Sequence, residues 1–110
     1  MEFFEQSFYV GGIYTDTKGQ IKPSAILVFM QDIATTHAIH LSLGRDEMIA
    51  RYNAVWVLMR LKVELFNAIE GFQFLTLKTR PCGISGPTFY REFEFWSDGK
   101  LCAVANTAWV

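Results

Sequence analysis

The sequence predicts an α+β domain in which one long helix is wrapped by a curled antiparallel sheet of about five strands. Two observations carry that expectation. An apolar stripe recurs at three-or-four spacing over residues 24–43. One strand-like segment precedes it and four follow, joined by short connections rich in glycine or polar residues.

The first strand is read over residues 3–10, where Phe4, Phe8 and Val10 fall on one side before Gly11-Gly12 and a polar stretch interrupt the alternation. Pro23 suits a first helical turn, and Ser24 or the polar residues before it can satisfy free amides there. The helix stripe comprises Ile26, Leu27, Met30, Ile33, Ala34, Ala38 and Leu41, and Gly44 is expected to stop the helix. Its only charged side chain besides histidine is Asp32, so the helix is expected to be mostly buried.

Residues 45–53 read as a polar connection. The next strand occupies residues 54–66, with Val57, Met59, Leu61, Val63 and Leu65 on one face and Trp56, Leu58, Arg60, Lys62 and Glu64 on the other. Residues 72–80 and 87–96 form two more strands around a turn at 81–86. Asp98-Gly99 then makes a tight hairpin into residues 101–110. A lone strand, a buried helix and a four-strand meander can bury the helix only if the sheet curls around it, which is the hot dog arrangement.

The 110 residues provide material for one core and one domain. Hydrophobic residues make up 51% and aromatics 15%, with ten Phe and three Trp, which points to an unusually bulky interior or a surface meant for burial, and a partner half is expected. A net charge of -1 with scattered cations gives no basic face for nucleic acid or anionic lipid. The longest apolar runs, residues 25–30 and 54–59, are far shorter than the roughly 20 residues of a membrane span. The acidic start lacks the features of a secretory leader. A soluble cytoplasmic protein with Cys82 and Cys102 reduced is therefore expected.

Two residues are candidates for catalysis. His37 lies on the apolar stripe, where a neutral imidazole could polarise a carbonyl or hold a water, or could simply be a hydrogen-bonded core residue. Asp32 would have a raised pKa if it borders a pocket as the sole acid on a buried helix, and could then serve as base or nucleophile. Equally, it could pair with an arginine such as Arg60. The two lie about 140° apart around the helix, so a direct pair is not expected. His40 finds no Cys, Asp or second His to complete a metal set, and no phosphate loop or dinucleotide fingerprint occurs, so neither metal nor cofactor is expected. Gly83-Ile84-Ser85-Gly86-Pro87 lacks the second glycine and the following helix of a nucleophile elbow, which excludes a serine hydrolase of that type.

Several segments resemble the first repeat of the acyl-acyl carrier protein thioesterases, a family with two hot dog repeats in one chain. Met30-Gln31-Asp32-Ile33-Ala34-Thr35-Thr36-His37-Ala38 is similar to that family's Leu-Gln-Glu, small residues and His-Ala, with Asp32 in place of the commoner Glu. The segment from Trp56 to Glu64 resembles its Trp-Val-x-x-Arg-x-x-Val-x-Ile strand. Tyr90-Arg91-Glu92-Phe93 matches its fourth strand, and the segment from Ala105 to Val110 resembles its Ala-x-Ser-x-Trp-Val.

The resemblance implies hydrolysis of an acyl thioester carried by acyl carrier protein or coenzyme A, with this segment as the acyl-binding half. In the family, the Asp-x-Asn-x-His motif that performs the chemistry lies in the second repeat, and it is absent from this sequence. Met30, Ile33, Ala34, His37, Trp56, Leu58 and Arg60 are expected to border the acyl site. A sheet ending on Trp109-Val110 leaves an unfinished edge, which favours a chain truncated before a second repeat over a single hot dog that pairs with itself. A hydratase or dehydratase on the same fold, or a non-catalytic acyl or carrier-protein binding module, is the alternative.

Overall fold

The computed structural model describes residues 2–110. Its elements run β1 (Phe4–Tyr9), a 3-10 turn (Gly12–Tyr14), α1 (Pro23–His40), α2 (Arg45–Tyr52), β2 (Leu58–Leu65), β3 (Phe74–Ser85), β4 (Thr88–Ser97) and β5 (Lys100–Trp109). The five strands form one sheet in the order β1-β3-β4-β5-β2, and every pairing is antiparallel. The sheet therefore has the expected strand count, with β1 and β2 at its edges.

Cross-strand register builds the inner face in layers. Phe4, Thr79, Phe93, Ala105 and Val63 lie across from one another, and the next layer is Gln6, Leu77, Phe95, Ala103 and Leu65. Because side chains alternate along a strand, these layers face α1 while Glu5, Lys78, Glu94 and Glu64 face outward. The outer face is held by ion pairs such as Lys78 with Glu5 at 3.3 Å and Arg80 with Glu92.

The helix buries Ala25, Ile26, Phe29, Met30, Ile33, Ala34 and His37 against this face. Phe29 stacks on Phe8 at 4.8 Å and meets Tyr14 edge-on at 5.0 Å. Ile33 is fully enclosed at 0% exposure. The helix is less buried than its composition predicts, because Leu27, Val28, Asp32 and Ile39 lie on an exposed flank. Small and apolar residues on that flank imitate a core stripe in the sequence, but the single sheet covers only one side.

The helix ends earlier than predicted, and Gly44 does not end it. Ser42, with φ at 59°, adopts the left-handed conformation, and the amides of Ser42 and Leu43 donate to the carbonyls of Ile39 and Ala38 at 3.0 and 2.8 Å. That is a Schellman closure, with serine at the position glycine usually fills. Gly44 instead starts α2, a helix the sequence reading placed in a polar connection. Asp46 and Glu47 in its first turn, Arg51 in its last and the Glu47 to Arg51 pair at 3.2 Å suit the helix dipole and i,i+4 spacing. It buries no residue, so it left no apolar stripe to read.

Two further strand boundaries differ from expectation. β3 continues through residues 81–85, with a register shift between Pro81 and Gly83, and its hairpin turn is confined to Gly86-Pro87. Gly86 has φ at 58°, which glycine accommodates without strain. In β2, Leu58 pairs with Trp109 and Arg60 with Ala108, so Met59 is an extra residue. This bulge reverses which side chains point inward. Leu58, Leu61 and Val63 consequently share the inner face, whereas Val57 and Met59 are 49% and 62% exposed. The predicted single face is correct only after the bulge.

Among the described residues, no single helix is long and apolar enough to cross a membrane; α1 and α2 satisfy such a criterion only as a pair bent by 51°. Cys82 is exposed, Cys102 is buried, and both are free thiols.

Candidate acyl-binding site

A cleft of about 920 Å³ opens between one flank of α1 and the ends of the β strands. Gln31, Ala34, Thr35 and Ala38 contribute the helix wall, and Leu43, Val55 and Trp56 from the segments around α2 form a rim. Phe89, Arg91, Trp109 and Leu58 close it from the sheet. Trp56 is fixed there by donating its indole N–H to the Leu43 carbonyl at 3.0 Å and by edge-on packing on Phe89 at 4.9 Å.

A smaller pocket of about 130 Å³ lies beside the cleft and shares Gln31, Leu58 and Trp109 with it. Its remaining walls are Leu27, Met30, Leu61, Phe93 and Thr107. The two spaces together offer an apolar trough with few polar groups, the form expected of a site for an alkyl chain.

Met30 walls the small pocket, Ala34 and Trp56 wall the cleft, and Leu58 walls both. Ile33 lines neither space, because its side chain is consumed in the helix-sheet core. Arg60 also lines neither; the Met59 bulge turns it to the exposed outer face, which corrects its expected position at the site.

Asp32 is likewise displaced from its expected role. It is exposed, lies outside both spaces and makes no ion pair with Arg60 or any other described residue. The expected role as base or nucleophile required a place beside a pocket on a buried face, and Asp32 has neither.

His37 is buried at 6% exposure and stacks flat on Phe4 with ring centres 4.8 Å apart. Its Nδ1 lies 2.9 Å from Arg91 Nη1, which also donates to Thr79 Oγ1 at 3.2 Å. Arginine has only donors, so His37 Nδ1 is the acceptor and the ring proton sits on Nε2. Burial, with Arg91 and then His40 as adjacent positive charges, lowers the His37 pKa below its usual 6.5. The imidazole is therefore neutral near pH 7, and the lone pair a general base would use is already engaged. His37 lines neither space and acts on the cleft through Arg91.

Arg91 is a cleft residue that the sequence reading did not place at the site. Phe89, Arg91, Phe93 and Phe95 alternate along β4, so Arg91 occupies an inward position, opposite Thr107 and Pro81. A lone cation in that alternation was a legible signal. Burial lowers its pKa from the usual arginine value.

Neither Asp32 nor His37 thus supplies an assembled acid-base pair. Among the described residues, no three His, Cys, Asp or Glu side chains converge as a metal site would require. The arrangement is suited to holding a chain and presenting two cations to it, Arg91 from the sheet and Arg45 from the start of α2.

Comparison with solved structures finds the same fold in several proteins described as thioesterases. An acyl-ACP thioesterase from Bacteroides thetaiotaomicron superposes with a TM-score of 0.92 at 21% identity, covering 98% of this chain and 44% of that one. A probable thioesterase from Bartonella henselae gives 0.88 at 15% identity, covering 98% and 90%. A 1,4-dihydroxy-2-naphthoyl-CoA thioesterase from Synechocystis gives 0.84 at 17%, covering 98% and 80%. At these identities the likeness establishes the hot dog fold. Comparison with curated protein sequences yields no match. The sequence matches the acyl-ACP thioesterase N-terminal domain over residues 1–110, and on that match the chain belongs to this family of acyl thioester hydrolases.

Proposed function

We propose that this domain is the acyl-binding half of a thioesterase that hydrolyses fatty acyl thioesters, with the alkyl chain lying between α1 and the ends of β4, β5 and β2. The observation that carries this reading is the largely apolar trough beside α1, built without an acid-base pair in reach of it. A second hot dog domain would contribute the hydrolytic groups. The family's description as an N-terminal domain and the 44% span of the Bacteroides enzyme support a second repeat over self-pairing.

The exposed flank of α1 and the free edge of β2, with Leu65 at 57% and Phe66 at 54% exposure, offer apolar surface for that second domain. Acyl carrier protein is the favoured thioester carrier on family grounds, with coenzyme A as the other carrier of the same chemistry. The two free thiols accord with a reducing, cytoplasmic setting.

The test compares the full-length protein with residues 1–110 on dodecanoyl-acyl carrier protein. We expect thiol release from the full-length protein, and from the isolated domain binding of the acyl chain without turnover. Failure of the full-length protein to release thiol from any acyl thioester, or hydration of an enoyl thioester in its place, would refute the reading.

A further inference from the structure

The inward position of Arg91 raises a question of charge. Arg91 lies half-buried in the cleft wall beside Phe89 and Trp109, so an apolar occupant would strip water from its guanidinium unless it supplied an anion or acceptors in return. The protein supplies only neutral partners, His37 Nδ1 and Thr79 Oγ1, and both meet the same nitrogen, Nη1. Nε and Nη2 make no hydrogen bond to the described residues. None of the five ion pairs among those residues includes Arg91. Glu92 and Glu94, its neighbours along β4, alternate to the outer face, where Glu92 pairs with Arg80 and Glu94 accepts from Trp96. The remaining donors of Arg91, in the cleft wall, are available to whatever occupies the cleft.

We propose that Arg91 anchors the head group of the acyl chain, its free N–H groups receiving the carboxylate of an alkyl acid, so that the released product is a specific ligand of this cleft. The proposal rests on the acyl-binding reading above. The chemistry is selective at both ends. Apolar walls at Leu58, Phe89 and Trp109 favour an alkyl chain, and the guanidinium favours an oxygen acceptor with negative charge, for which its planar fork offers two parallel hydrogen bonds. The contacts of Nη1 with His37 and Thr79 hold that fork in place, which reduces the ordering cost on binding.

The test measures binding of dodecanoic acid and of dodecanol to the full-length protein by calorimetry, at a mildly alkaline pH where the acid is ionised. The wild type should bind the acid at least about tenfold more tightly than the alcohol, the effect of a hydrogen bond to a charged group. Arg91→Gln should bind both alike, at the affinity of the alcohol, and Arg91→Lys should recover part of the preference. Equal binding of acid and alcohol by the wild type overturns the anchor while leaving the acyl cleft intact. A preference that survives in Arg91→Gln also overturns it. Loss of alcohol binding in Arg91→Gln makes Arg91 a structural clamp and defeats the proposal. Absence of binding by either ligand defeats the acyl-cleft reading, and the anchor with it.

Discussion

Substituting Met30 by Trp tests whether the small pocket measures the acyl chain. Met30 is only 3% exposed and forms one wall of a 130 Å³ space that adjoins the main cleft through Leu58 and Trp109. An indole in place of the thioether chain would displace about two methylenes of a bound acyl chain, each worth about 0.8 kcal/mol of burial. The loss is then about 1.6 kcal/mol, roughly 15-fold in kcat/KM, for chains long enough to reach the pocket. Chains that stop in the cleft should change by less than about twofold on the same reasoning.

The assay is kcat/KM of the full-length protein across a series of saturated acyl thioesters. Overpacking can itself cost about 1–3 kcal/mol of stability, so thermal unfolding is recorded alongside. Leu61→Phe enters the same pocket from β2 and should shift the preference in the same direction. An unchanged ratio of long-chain to short-chain kcat/KM in both folded variants would refute the assignment of this pocket to the acyl chain.

His37 should make the domain sensitive to acid. Its folded-state pKa is lowered, mainly by burial and then by Arg91 and His40, so stability is complete above about pH 6.5. It declines as pH falls from there toward the folded-state value, because the unfolded chain binds the proton more readily, with a slope of at most about 1.4 kcal/mol per pH unit. His37→Gln should flatten that limb in urea unfolding curves measured at successive pH values; an unaltered limb would contradict the assignment. Ile33→Ala, at a position with 0% exposure between helix and sheet, should cost about 2–5 kcal/mol in the same measurement, and a cost under about 1 kcal/mol would show that α1 is not seated as described.

The sequence by itself determined the order of the five strands and the long helix, and with it the hot dog class. Phe8, Ile26, Met30 and Ile33 fall at strand or helix spacing, and Asp98-Gly99 marks a hairpin, because periodicity and turn chemistry act over a few neighbouring residues. Met30, Ala34, Trp56 and Leu58, which line the two cavities, were legible as inward-facing for the same reason: each is an apolar residue on a face that the pattern turns inward. α2 left less trace, since a short helix with no buried face has no apolar stripe to betray it.

Only the tertiary structure decided the rest. A one-residue bulge at Met59 reversed the facing of Arg60, and no local pattern announces a bulge that arises from pairing with β5. Asp32 proved exposed because one sheet covers one side of the helix, a fact of packing and not of spacing. Arg91 and His37 are 54 residues apart in the chain and meet only when β4 is laid beneath α1. Their contact sets the imidazole tautomer and directs the remaining guanidinium donors to the cleft, which local alternation could suggest for Arg91 but could not connect to His37.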